Sequence, residues 1–342
     1  MRAALDVFFT LLKTFFSCLI TQKKLPERSW RGEFIVRLAR DLLRRSIGKN
    51  FIWVRARQSL LTLYAPDLFR VSSKWADLSG VACLEIHPKS LPEPDTVIVY
   101  LHGGGYAVGS AAGYRLMGAK LALLCRAKVL MVDYRLVPEF PLPAAQNDCY
   151  ALCRHVLEQH ANQKVILMGD SAGGALCLST LKKLDANQHP AGQTQAQPIA
   201  ACVLISPWLA PLSYENLSLE HEANDMLDRH ITQYWVDTFY RSEALKSEVD
   251  FSDILSLGLP AKRWPSLYLQ AAGAEVFLAQ IKQFSQQLEQ QNIDHRFDIY
   301  PDQFHVFQTF SPLVPEAKKA LADIAGFVRS ASIADPHALI RG

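Results

Sequence analysis

Gly169-Asp170-Ser171-Ala172-Gly173-Gly174 stands between an apolar run over residues 165–168 and a helical pattern over 175–184. A G-x-S-x-G turn needs that setting, with a strand before it and a helix after. The serine then occupies a sharp turn and points out of the sheet. Glycines two before and two after it leave room for the turn and for close helix packing. A serine hydroxyl is a weak nucleophile, so Ser171 requires a base and an anion-stabilising site close by. The pentapeptide alone occurs by chance, and its place between strand and helix gives it weight.

Upstream, His102-Gly103-Gly104-Gly105 again directly follows an apolar run, residues 97–101. Consecutive glycines let backbone N–H groups approach a substrate oxygen without side-chain obstruction. The expected donors are Gly103 and Gly104, joined by Ala172 after the nucleophile, and together they would stabilise a tetrahedral oxyanion. A phosphate cradle is the competing use of a glycine run, but no Lys-Ser/Thr pair completes one.

The base is expected downstream, because α/β folds with this elbow run serine, acid, histidine in chain order. Of ten histidines, His305 follows a strand pattern (296–300) and a turn (Pro301-Asp302-Gln303-Phe304), and precedes a helix starting near Pro315. His295 enters a strand and His337 lies in the tail. The acid is expected after the apolar run 266–272, where Glu275 is the one carboxylate on the exit loop. Asp298 is mid-strand, and Asp302 is too near His305 in sequence to reach behind it. Asp170 reads as a hydrogen-bonding partner of the elbow. Asp133, Arg135 and Glu139 read as a structural polar network beneath the site.

Around these motifs, short runs rich in Val, Ile, Leu and Tyr (96–102, 128–134, 164–169, 200–206, 266–273 and 295–300) alternate with helical patterns near 113–126, 143–160, 172–185, 277–291 and 315–331. Strands with little polar alternation are buried on both faces, and the β-α-β order predicts a mostly parallel sheet between helical layers. Residues 75–87 add one or two antiparallel edge strands. Residues 1–65 and about 210–260 break the alternation with aromatic-rich helical patterns. They are assigned to a helical cap over the sheet's carboxyl edge, where ligands bind in such folds. The division is an N-terminal cap segment 1–65 and a catalytic domain 66–342 carrying the second cap insertion. Residues 185–198 read as a polar surface loop.

Composition agrees with a globular chain that has a large core: 49% of the 342 residues are hydrophobic and 20% charged, the usual mixture for such domains. The net charge of +3 comes with no basic block, which argues against nucleic acid as a partner. Seven cysteines are scattered without metal-ligand or C-x-x-C spacing, so a reducing, cytoplasmic setting is expected. In residues 3–20, Asp6 and Lys13 interrupt the apolar run and leave it too short to span a bilayer. Phe8, Phe9, Leu12, Phe15, Phe16 and Leu19 fall mostly on one helical face. A helix packed on the body as part of a lid is the first reading. A membrane-surface helix is the second, and a cleaved signal the third.

Together, His102–Gly105, Asp133–Glu139 with Pro141-Leu142-Pro143-Ala144-Ala145, Gly169–Gly174 and the tail motif Tyr300–Phe307 resemble the hormone-sensitive-lipase-like esterases over roughly residues 90–330. The resemblance implies a capped α/β-hydrolase with no metal or organic cofactor, acting on short or medium acyl esters as small-molecule substrates. It implies a triad of Ser171, Glu275 and His305, with Gly103, Gly104 and Ala172 as oxyanion donors. That family more often has aspartate at the acid position, so Glu275 departs from it by one methylene. Other uses of the motifs stay open: amide hydrolysis or deacetylation, hydrolysis of a membrane lipid such as a sterol ester or glyceride, or ligand binding without turnover. A homodimer and peripheral membrane contact through the N-terminal helix are likewise open.

Overall fold

The computed structural model describes residues 2–20, 25–49, 53–55, 65–91, 93–160, 162–188, 199–210, 217–237 and 264–331. Eight strands form one sheet: β1 (Val71–Leu78), β2 (Val81–Pro88), β3 (Thr96–Leu101), β4 (Lys128–Val132), β5 (Lys164–Asp170), β6 (Ile199–Ile205), β7 (Ser266–Ala272) and β8 (His295–Tyr300). Their spatial order is β1-β2-β4-β3-β5-β6-β7-β8. β1 pairs antiparallel with β2, and β2 with β4; every other pairing is parallel. The chain therefore reverses direction from strand to strand only at one edge, where the expected antiparallel strands lie.

The absence of polar alternation has a direct cause. Val97, Val99 and Leu101 of β3 enter one core, while Ile98 and Tyr100 enter the other. β5 divides the same way, with Val165 and Leu167 on one side and Ile166 and Met168 on the opposite side. Because successive side chains point to opposite faces, two covered faces require an apolar residue at every position.

One face is covered by α4 (Leu142–Gln159), α5 (Ala172–Gln188) and α7 (Leu278–Gln290), the other by α3 (Arg115–Cys125) and α8 (Ala317–Ser330). α4 contributes Leu142, Ala145, Cys149, Leu152, Cys153 and Val156, the spacing of one helical stripe. α5 continues the helical pattern to Gln188, four residues into the stretch read as a polar loop. The rest of that stretch lies outside the described residues. All seven cysteines are buried and free; all but Cys18, which lies on the N-terminal helix, are small apolar fillers of the two cores.

Two helices precede the sheet, α1 (Arg2–Ile20) and α2 (Trp30–Arg44). Ser29 caps α2 by accepting the Gly32 N–H at 3.1 Å. Its start is fixed to the body by buried Arg28, whose Nε donates to the Asp302 carbonyl at 2.7 Å. At its far end Arg44 Nε meets Asp228 Oδ2 at 2.6 Å. α1 packs on α2 through Val7, Leu38 and Leu42. The apolar stripe of α1 faces outward: Phe8, Phe9, Leu12, Phe15, Phe16 and Leu19 are all exposed. α1 thus lies against α2 with this stripe turned away from the contact. The side turned inward carries smaller and partly polar residues. No described helix is long and apolar enough to cross a membrane.

Candidate active site

The elbow follows from β5 running straight into α5 with one residue between them. Ser171 has φ 52°, a left-handed backbone that costs a non-glycine residue roughly 1–3 kcal/mol. The turn is held from both sides: Ser171 N–H donates to the Ile205 carbonyl at 2.9 Å, and Trp208 N–H donates to the Ser171 carbonyl at 3.0 Å. Gly169 and Gly173 are required by close approach. A Cβ on Gly169 would stand 2.5 Å from the Gly173 carbonyl oxygen, and one on Gly173 would overlap the Leu101 carbonyl.

His305 and Glu275 come from the loops after β8 and β7. Parallel pairing puts those loops side by side, and backbone bonds join them. Gly273 N–H donates to the Tyr300 carbonyl at 2.7 Å, and Ala274 N–H to the Gln303 carbonyl at 2.9 Å. The result is a continuous line of contacts. Ser171 Oγ lies 2.9 Å from His305 Nε2, and His305 Nδ1 lies 2.7 Å from Glu275 Oε2. A carboxylate only accepts, so the proton of the neutral imidazole sits on Nδ1 and Nε2 is free to accept from the serine hydroxyl. Glu275 is wholly buried. Its second oxygen accepts the Ala272 N–H at 2.9 Å, so the extra methylene relative to aspartate folds the carboxylate back onto its own strand end. Phe277 meets the imidazole edge-on, with centroids 5.0 Å apart, and limits ring rotation. Burial pulls the His305 pKa down. The Glu275 hydrogen bond and charge, with the Asp225 and Asp170 charges, outweigh it, and the net shift is upward.

Sequence reasoning missed Asp225. It is wholly buried; Oδ1 accepts the His305 N–H at 2.8 Å, and Oδ2 accepts the Val276 N–H at 2.9 Å. One carboxylate thus ties the histidine loop to the acid loop. Arg40 of α2 donates to the Asp225 carbonyl, which links the N-terminal helices to the same point. Burial raises the Asp225 pKa, against the lowering effect of His305. No motif surrounds this residue in the sequence.

The glycine loop departs from expectation at one position. Gly103 N–H donates to Asp170 Oδ1 at 2.9 Å, so it is committed to a buried carboxylate and is not available to a substrate oxygen. Gly104 lines the cavity next to Ser171. Ala172 is the first residue of α5, where an N–H has no intrahelical acceptor. Asp170 also accepts from Tyr100 Oη at 2.8 Å and Tyr114 Oη at 2.9 Å. Burial raises its pKa to about 6 despite these three donors. It braces the glycine loop against the elbow, in line with its reading from sequence. The expected network of Asp133, Arg135 and Glu139 does not form as one unit. Asp133 accepts the Ala111 N–H, Arg135 pairs with Asp148, and Glu139 pairs with Arg55.

Above Ser171 lies a cavity of about 320 Å³, near the lower end of the roughly 300–1,000 Å³ common for small-molecule sites. Its walls are mostly apolar. Leu38 and Leu42 come from α2, Ile231 and Trp235 from the segment around α6 (Arg229–Trp235), and Trp208 and Phe310 from the body. Both segments that interrupt the β-α alternation therefore reach the nucleophile. Residues 211–216 and 238–263 of the second segment, and His337, lie outside the described residues.

A family model described as the alpha/beta hydrolase fold matches residues 98–309. An acetyl-hydrolase of Streptomyces hygroscopicus is 32% identical over 244 residues, covering 69% of this chain and 76% of its own. An esterase of Acinetobacter venetianus is 30% identical over 257 residues, 74% of this chain and 80% of its own. The chain belongs to the hormone-sensitive-lipase-like esterases. A crystal structure of an esterase from the bacterial hormone-sensitive lipase family superposes with a TM-score of 0.74 at 25% identity, over 90% of this chain and 99% of that one. This esterase therefore shares its architecture across nearly the whole of that relative.

Proposed function

We propose that the protein hydrolyses carboxylic esters of short to medium acyl chains through an acyl-enzyme on Ser171. The observation that carries this reading is the unbroken line Ser171 Oγ–His305–Glu275, with contacts of 2.9 and 2.7 Å. Ser171 Oγ attacks the ester carbonyl carbon as His305 Nε2 takes the hydroxyl proton. The carbonyl π pair moves onto oxygen, where the N–H groups of Gly104 and Ala172 stabilise it; each such donor is worth about 3–4 kcal/mol. Collapse re-forms the carbonyl and expels the alcohol oxygen, which leaves with the proton from His305. Water then repeats the sequence on the acyl-serine, and the carboxylic acid departs. Glu275 keeps the imidazole in the Nδ1–H tautomer and stabilises its positive charge.

The esterase and acetyl-hydrolase relatives support the substrate class, and the small apolar cavity supports a modest acyl group. Residues 1–65, with the second segment at about 210–260, act as the cap in this reading, because α2 and α6 wall the cavity over the hydrolase body.

Labelling with a serine-reactive fluorophosphonate, mapped by mass spectrometry, tests the proposal. The adduct is expected on Ser171 of the parent and absent in His305→Ala. Folded parent that fails to react, or that reacts elsewhere, would overturn it.

The pH profile gives a second check. His305 must be unprotonated to act as base, and its pKa is raised, so the proton persists to higher pH. The acid limb of kcat/KM on a soluble ester is expected above the ordinary imidazole value of about 6.5. A limb below that value would mean that the surrounding carboxylates do not hold the imidazolium.

A further inference from the structure

Helix α1 carries its bulky apolar side outward. Val7, Thr10, Thr14 and Cys18 are buried, and Thr10 disposes of its hydroxyl by donating to the Asp6 carbonyl of its own helix. Phe8, Phe9, Phe15, Phe16, Leu19 and Ile20 are between 42% and 83% exposed. A helix packed on a water-soluble body has the reverse arrangement. Trp30 of α2 extends the face, half-exposed and edge-on to Phe15 at 6.0 Å. Contiguous exposed apolar surface of this kind marks an interaction site.

Charge identifies the occupant. Residues 1–49 contain eleven Lys and Arg against four Asp and Glu, a net +7, whereas the whole chain carries +3. The remaining chain is therefore net acidic, and the cationic excess lies in the segment that carries the apolar face, although Arg28 is buried and Arg40 turns inward to Asp225. Lys13 stands on α1 itself with its side chain 67% exposed, and Arg31, Arg44, Arg45 and Lys49 are exposed on or just after α2. A second copy meeting this face would set two such cationic segments against each other, and like charges across an interface are unfavourable. An anionic lipid surface gains from the same charge, while phenylalanines enter the headgroup boundary. We propose that α1 is an interfacial helix that docks the protein on an anionic bilayer. Its 19 residues lie flat along about 28 Å. The proposal rests on α1 and its charge and not on the reaction assigned to Ser171.

Sedimentation with sucrose-loaded vesicles tests it, using phosphatidylcholine alone and phosphatidylcholine mixed with phosphatidylglycerol. The full chain is expected to partition onto the phosphatidylglycerol vesicles, and less so as salt is raised. The double variant Phe9→Asp/Phe16→Asp is expected to lose roughly tenfold or more in partition. Both positions are exposed and neither lines the cavity, so turnover of a soluble acetyl ester and the melting temperature are expected to stay at parental values. A parent that ignores the anionic vesicles, or binds pure phosphatidylcholine equally well, would overturn the proposal. So would a variant that partitions like the parent. A parent that is dimeric by sedimentation velocity, with a monomeric variant, would give the face to a second copy instead.

Discussion

Ser171→Ala is expected to lower kcat for ester hydrolysis by about 10⁶-fold, some 8 kcal/mol of barrier, while the protein stays folded. The size of the effect follows from removing the nucleophile: no other hydroxyl stands in hydrogen-bonding contact with His305 among the described residues. Folding is spared because alanine keeps the same Cβ at the same left-handed backbone, so the strain at φ 52° is unchanged. Among the described residues, the hydroxyl that is lost bonds only to His305. Steady-state turnover beside a thermal melt checks both halves. Activity within tenfold of the parent would remove Ser171 from the mechanism. A melt lowered by many degrees would make the loss uninformative, and His305→Ala would then carry the test.

Glu275→Gln is expected to lower kcat by about 10⁴-fold, with a much smaller change in KM. Glutamine preserves shape and can still hydrogen-bond the imidazole, but it carries no charge to stabilise imidazolium and permits the wrong tautomer. The pH profile separates this role from a merely structural one. Without the glutamate charge the His305 pKa is expected to fall, taking the acid limb with it. Asp225→Asn provides the contrast. Its carboxylate bonds the backbone N–H groups of His305 and Val276 and not the imidazole, so it positions the two loops without touching the reacting atoms. A smaller loss of kcat is expected, about 10–100-fold, as for a misplaced catalytic group. If Asp225→Asn were the more damaging of the pair, the acid assignment would pass from Glu275 to Asp225.

Several parts of this molecule were legible because one local rule governed them. The elbow needs glycine where a Cβ would strike backbone, so Gly169 and Gly173 flank Ser171 here. Strands covered on both faces must be apolar at each position, which made β3 to β7 readable as runs. His305 and Glu275 were reachable because parallel order puts the loops after β7 and β8 beside each other. The glycine loop was legible as a loop but not donor by donor. Gly103 is spent on Asp170, a partner 67 residues away that no local pattern can reveal.

Sequence by itself thus determined the layered sheet, the elbow and the residues that meet at it, since strand periodicity, turn sterics and chain order are local properties. Tertiary structure alone decided which N–H groups remain for an oxyanion, and that Asp225 clamps the histidine loop. It also decided that the apolar side of α1 faces outward. Each of these depends on what a side chain meets across the fold. A helical stripe of Phe and Leu looks the same in sequence whether a core or a membrane surface is to cover it.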